Sequence, residues 1–174
     1  MSRHFLTSVA SAAAVVLTAR ASFADHYRVP SGSMEPTIQV GDRVVVSKIA
    51  YGLRVPLTTR WLAHGDGPAR GDMVVLDLDD PESPDVLLKR VVAVGGDLVE
   101  VRDGAVFIDG QRAREPFASV AAGSGPDFPP TRVPAEQVLV LGDNRGNSRD
   151  GRAFGFVDRR RVLGRVETVL HGLP

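Results

Sequence analysis

Two short stretches carry residue types that could make and break an acyl bond. The first, VPSGSMEPT (Val29 to Thr37), sets two serines around one glycine with a proline on either side. Pro30 and Pro36 each fix φ, and Gly32 allows close backbone approach beside the Ser33 hydroxyl. That rigidity suits an attacking oxygen, and it also suits any tight polar turn. A serine hydroxyl attacks an amide only if a base takes its proton. The second stretch, VLLKRVV, offers that base in Lys89. Alternation along a strand puts Lys89 on the face with Leu87 and Val91, and Arg90 on the face with Leu88 and Val92. One of the two cations must therefore lean against apolar surroundings. Arginine stays charged there, whereas lysine can become neutral. To act as a base near pH ~8, Lys89 needs its pKa lowered by roughly 2–3 units, about 3–4 kcal/mol of desolvation. The bland alternative is an edge-strand lysine whose amine reaches water.

Rival chemistries have less support. The four histidines, His4, His26, His64 and His171, are scattered, with no HExxH spacing, and read as surface residues. No G-x-S-x-G elbow is present, although chain order alone does not exclude a Ser-His-Asp triad. The absence of cysteine removes disulfides, thiolate metal sites and thiol nucleophiles together. Only Lys48 and Lys89 are lysine among 21 basic residues. Against an arginine-rich background, a retained lysine suggests a task that requires releasing a proton. A third stretch, GDNRGNSRDGR (Gly142 to Arg152), places Asp143, Arg145, Asp150 and Arg152 where they can knit a loop together. As a polar turn closing a strand it needs no further role, but it leaves Ser148 free to orient an amine.

The elements that must position these groups are strands. After Arg28 the chain runs in short Val-rich segments: GDRVVVSKI, GDMVVLDL, VLLKRVVAVGGDLVEV, GAVFIDG, QVLVLGDN and RVLGRVETVL. Gly-Asp and Asp-Gly pairs punctuate them as turns. EVRDGAVFIDGQRA reads as a hairpin, and the stretch from Arg114 to Glu136 as mostly loop. The pattern predicts a mainly β body of two sheets or a distorted barrel, with 103–134 as a peripheral insertion. At 174 residues, with acidic and basic residues equal at 21 each, the chain suits one domain and shows no nucleic-acid-binding charge.

Ahead of the β body, Phe5 to Ala19 is uncharged after the basic start MSRH. Extended to Phe23, and allowing Arg20 to snorkel, it would span about 28 Å as a helix, near the ~30 Å of a bilayer core. It reads as an N-terminal membrane anchor over residues 1–24, ahead of a β-rich domain over 25–174. A cleavable leader ending near Ser22-Phe23-Ala24 is one competing reading, and an alanine-rich buried helix is another.

Taken in order, PSGSMEPT, GDRVVVSKIAYG, LLKRVVAVGGD and GDNRGNSRDGR resemble the successive boxes of type I signal peptidases, from Arg20 to Val169. The resemblance implies a serine endopeptidase with a Ser-Lys dyad, acting through an acyl-enzyme after small residues of the Ala-X-Ala type. Ser33 matches the nucleophile, Lys89 the general base, and Ser31 the hydroxyl that joins the Ser33 amide in an oxyanion hole. Ser148 matches the serine that hydrogen-bonds the lysine. Asp143, Arg145, Asp150 and Arg152 match the supporting polar cluster. Val29, Pro30, Met34, Ile38 and Leu88 match positions lining the substrate pockets. No cofactor or metal is implied. The implied partners are the signal-peptide regions of secretory preproteins and membrane lipid. The implied location is the outer face of the bacterial cytoplasmic membrane, held by a single span. Gly146 and Gly151 depart from the family's usual Asp and Ser, a change expected to loosen the supporting cluster.

Two other readings use the same residues. One is a dedicated maturation peptidase of the same fold, of the conjugation-linked kind, with few substrates. The other is a β-domain that binds peptides without cutting them.

Overall fold

The structure is a computed structural model and describes residues 24–54, 61–78 and 86–172. The expected anchor, apart from Ala24, lies outside the described residues. Among those described, no helix is long and apolar enough to cross a membrane.

Thirteen strands are described. In chain order they are β1 Ala24–Arg28, β2 Arg43–Ser47, β3 Gly52–Arg54, β4 Trp61–His64, β5 Met73–Leu76, β6 Leu87–Val94, β7 Leu98–Arg102, β8 Ala105–Ile108, β9 Gln111–Arg112, β10 Phe128–Arg132, β11 Gln137–Leu141, β12 Val157–Asp158 and β13 Val162–Leu170. One helical turn, α1, spans Gly151–Phe154. Seven strands form one curled sheet in the order β1-β2-β13-β5-β6-β11-β12, with every neighbouring pair antiparallel. Its terminal strands β1 and β12 do not pair, so the barrel stays open. A second sheet, β10-β7-β8-β9, lies beside it, and β3-β4 form a separate ribbon. The fold is therefore mainly β, as expected.

All six Val-rich segments become strands. Alternation and β-branching suffice there, because each segment has a face to bury. The hairpin after β7 closes on Asp103-Gly104 and the next turn on Asp109-Gly110. All four residues have φ between +49° and +80°, the signature of type I′ turns. Strands β1, β10 and β12 were not legible. Tyr27 is the only apolar residue of ADHYR beyond Ala24, FPPTR carries two prolines, and β12 is two residues long. Pairing with a neighbour, rather than propensity, makes them strands. β10 carries Pro129-Pro130 at a register shift on the outer edge of its sheet, where a missing N–H is tolerated.

The stretch 103–134 supplies β8, β9 and β10 of the small sheet, while β7 precedes it. The two sheets enclose one apolar cluster of Val92, Ala93, Val99, Val101, Val106, Val133, Leu139 and Leu141. A second cluster gathers Val74, Leu76, Val91, Val138 and Val140 around Tyr51. A third seats Val29, Met34 and Ile38 against Val44, Val46, Val75 and Val166. That third cluster fixes the segment carrying Ser33.

Candidate active site

Strand β6 lies inside the large sheet, and five consecutive residues, Lys89 to Ala93, are buried. Strand alternation requires one of two adjacent cations to enter apolar surroundings. Here both do: Lys89 is 3% exposed and Arg90 is 7% exposed. The two charges are handled differently, as the chemistry of their side chains dictates. Arg90 keeps its charge and forks onto Asp143, Nε to Oδ1 at 2.9 Å and Nη2 to Oδ2 at 2.7 Å. Its remaining arm donates to the Gly71 carbonyl, and the Phe117 ring stacks on the guanidinium. Lys89 has no carboxylate partner among the described residues. Burial pushes its pKa down from 10.5 to about 8, against an opposing pull from the negative charge of Asp150.

The Lys89 Nζ lies 2.8 Å from Ser33 Oγ, across 56 positions of sequence, and the contact is buried. Its second contact is the Leu88 carbonyl at 3.0 Å. Ser33 sits in a 3₁₀ turn, Gly32–Met34, with Met34 buried beneath it. Ser31 precedes the turn in extended backbone, is exposed, and makes no side-chain capping bond. Its hydroxyl therefore remains available to a ligand beside Ser33.

The register of β11 explains how Gly142 to Arg152 reaches this site. Leu141 pairs with Arg90, so the chain runs off the end of the ladder directly beside Lys89. A Cβ on Gly142 would collide with the Ser33 carbonyl and the Ser148 hydroxyl; only glycine permits this approach. Asn144 then holds the Ser33 turn, donating its backbone N–H to Ser33 O at 3.0 Å and its Nδ2 to Gly32 O at 3.1 Å.

The supporting cluster is wired differently from the expectation of pairs within the loop. Only Asp150 and Arg152 pair with each other: Asp150 accepts from Arg152 Nε and Nη2, each at 2.9 Å, and also from the Gly142 N–H. Asp143 is taken by Arg90. Arg145, 1% exposed, pairs with Glu115 at 2.6 Å and caps the Gly142 and Gly104 carbonyls. Arg90 and Glu115 thus join the site beyond the residues that the motifs matched. Arg90 was signalled by its position on the opposite strand face. Glu115 stands in a stretch read as loop and gave no signal.

Two further expectations change. The Ser148–Lys89 hydrogen bond is not formed: Ser148 Oγ is buried against Gly142 without a hydrogen-bond partner, and Leu88 holds the amine instead. At Gly146 the packing is close rather than loose. Its bare Cα lets the Ala122 carbonyl approach where a Cβ would collide, and Gly151 does the same for Leu139 and Val140.

Of the expected pocket residues, Val29, Met34 and Ile38 are buried in the third cluster, Leu88 is half-buried against it, and Pro30 is exposed. Met34 and Ile38, at 1% and 0% exposure, serve as core beneath the site rather than as open walls. Leu88 and Lys89 are laddered on the β5 side only, since pairing with β11 begins at Arg90. Among the described residues no strand pairs with the other edge of this short segment.

The chain is similar to several proteins already known. A family model described as signal peptidase, peptidase S26, matches residues 2–171. A probable signal peptidase I-2 of Synechocystis sp. is 36% identical over 163 residues, covering 91% of this chain and 68% of the relative. A signal peptidase I of Leptolyngbya laminosa is 36% identical over 160 residues, covering 87% and 71% respectively. Among solved structures, that of a signal peptidase I from Enterococcus faecalis V583 aligns with 31% identity and a TM-score of 0.47, over 58% of this chain and 97% of that one. The chain belongs to the signal peptidase family of serine endopeptidases, peptidase S26.

Proposed function

We propose that this chain removes signal peptides from exported preproteins, with Ser33 as nucleophile and Lys89 as general base. The observation that carries the reading is the buried 2.8 Å contact between Lys89 Nζ and Ser33 Oγ, made by an amine whose pKa is pushed down to about 8. Near that pH a substantial fraction of Lys89 is neutral and can accept the hydroxyl proton. The Ser33 oxygen then attacks the scissile carbonyl. The tetrahedral oxyanion is received by the Ser33 N–H and the Ser31 hydroxyl, which stabilise the charge as it develops. Collapse breaks the C–N bond, and the Lys89 ammonium protonates the departing amine. Lys89, neutral again, deprotonates a water that attacks the ester. The peptide leaves as a carboxylate and Ser33 recovers its proton.

The edge at Leu88 and Lys89 that no described strand pairs with supports a substrate lying as an added strand, main chain to main chain, with its scissile bond over Ser33. Extended binding alternates side chains, which fits selection of small residues at the first and third positions before the cut. The work is assigned to the outer face of a membrane, with residues 1–24 as the anchor.

Lys89→Ala and Lys89→Arg should each lower turnover of a purified Ala-X-Ala precursor by about 10²–10⁴-fold while the circular dichroism spectrum is kept. Retained turnover in either variant would refute the assignment of the base. A panel of unrelated precursors separates a general peptidase from a dedicated maturation enzyme.

A further inference from the structure

The dyad joins a short surface turn to an interior strand, and nothing in the turn itself dictates that its hydroxyl meets Nζ. Several tethers impose that distance, and one of them comes from a residue with no assigned task. Thr37, four positions beyond Ser33, donates its hydroxyl to Asp143 Oδ2 at 2.6 Å. The same carboxylate is held by Arg90 through two arms, and Arg90 directly follows Lys89 on β6. The path from Thr37 through Asp143 to Arg90 therefore spans both dyad segments without touching either reacting atom. Between Ser33 and Thr37 lie Met34, buried in the third apolar cluster, and Pro36, whose φ is fixed. Pulling on Thr37 therefore moves the turn as a unit. Asn144, next to Asp143, grips the near side of the same turn at Gly32 O and Ser33 O. The turn is thus held at both ends by one two-residue segment.

We infer that Thr37 is a positioning residue for the reaction: its hydrogen bond to Asp143 sets the reach of Ser33 to Lys89. This rests on the Ser33–Lys89 reading above. Charge does not make Thr37 necessary, because Asp143 is already neutralised by Arg90. What the hydroxyl adds is direction, since a charge-assisted O–H to carboxylate bond is short and angularly restrictive. A small displacement of a nucleophile from its base costs rate far more than it costs binding.

The test compares Thr37→Val, which keeps the shape and removes the donor, with Thr37→Ser, which keeps the donor. Both are made in the full-length chain, with Lys89→Ala measured alongside. The expected result is a loss in kcat of about tenfold or more for Thr37→Val, with KM within about twofold, and recovery to within about threefold for Thr37→Ser. A merely structural threonine would instead lower the thermal midpoint and leave kcat intact at a permissive temperature. Should Thr37→Val fail to fold, Thr37→Ala and Thr37→Ser decide the matter by the same kcat comparison. The inference is overturned if Thr37→Val turns over like the parent, or if the serine variant fails equally. An active Lys89→Ala would instead overturn the dyad itself, so the two failures are told apart.

Discussion

Lys89 and Arg90 are adjacent, both buried, and opposite in how they meet the low-dielectric interior. A guanidinium cannot shed its proton, so Arg90 must be brought a carboxylate, and Asp143 is fully buried to supply one. An ammonium can shed its proton, and among the described residues Lys89 meets only a hydroxyl and a carbonyl. The pH dependence follows with a definite sign. With Lys89 as the proposed base, the neutral amine is the form that would work, so kcat/KM should rise with pH through about 8 and level off above it. Asp150 opposes the shift by favouring the charged amine. Asp150→Asn should therefore move the rising limb to lower pH. It should also destabilise the protein, because Arg152 would lose its buried partner. A pH–rate profile of both proteins checks this, and a limb that moves upward would contradict it.

At the scale of elements, the decisive feature is where β11 stops. Its last residue pairs with Arg90, and Gly142 passes between the Ser33 carbonyl and the Ser148 side chain. Gly142→Ala is expected to displace the Ser33 turn. The collision includes a backbone oxygen that cannot rotate away, so overpacking of about 1–3 kcal/mol is expected together with loss of most activity. Denaturant unfolding and precursor turnover measure the two effects, and an alanine variant with unchanged turnover would show that this contact is dispensable. The loop of 113–125 acts at the same scale. Glu115 neutralises Arg145, and the Ser124 carbonyl receives Arg152, so a segment distant in sequence fastens the loop carrying Gly142.

Across the whole molecule, the small sheet is part of the core. Leu139, fully buried, lies between the sheets with Val92, Val99 and Val106. Leu139→Ala should cost roughly 2–5 kcal/mol and lower the urea midpoint. Its neighbours on β11 carry the active loop, so activity at elevated temperature should fall with it. A variant as stable as the parent would mean that the two sheets do not share a core.

The sequence by itself determined the Val-rich strands, because their alternation and the Asp-Gly turns between them are local signals. It also determined the chemistry on offer, because a hydroxyl and a proton-releasing amine are properties of single residues. Four ordered motifs added the family. Tertiary structure alone decided who pairs with whom. Asp143 chose Arg90 over its loop neighbours, Glu115 entered from an unpatterned stretch, and Ser148 missed the amine it was matched to. Those outcomes depend on where β11 ends against β6 and how closely glycine lets three segments approach. Such distances arise from packing between residues far apart in sequence and leave no periodic trace in the chain.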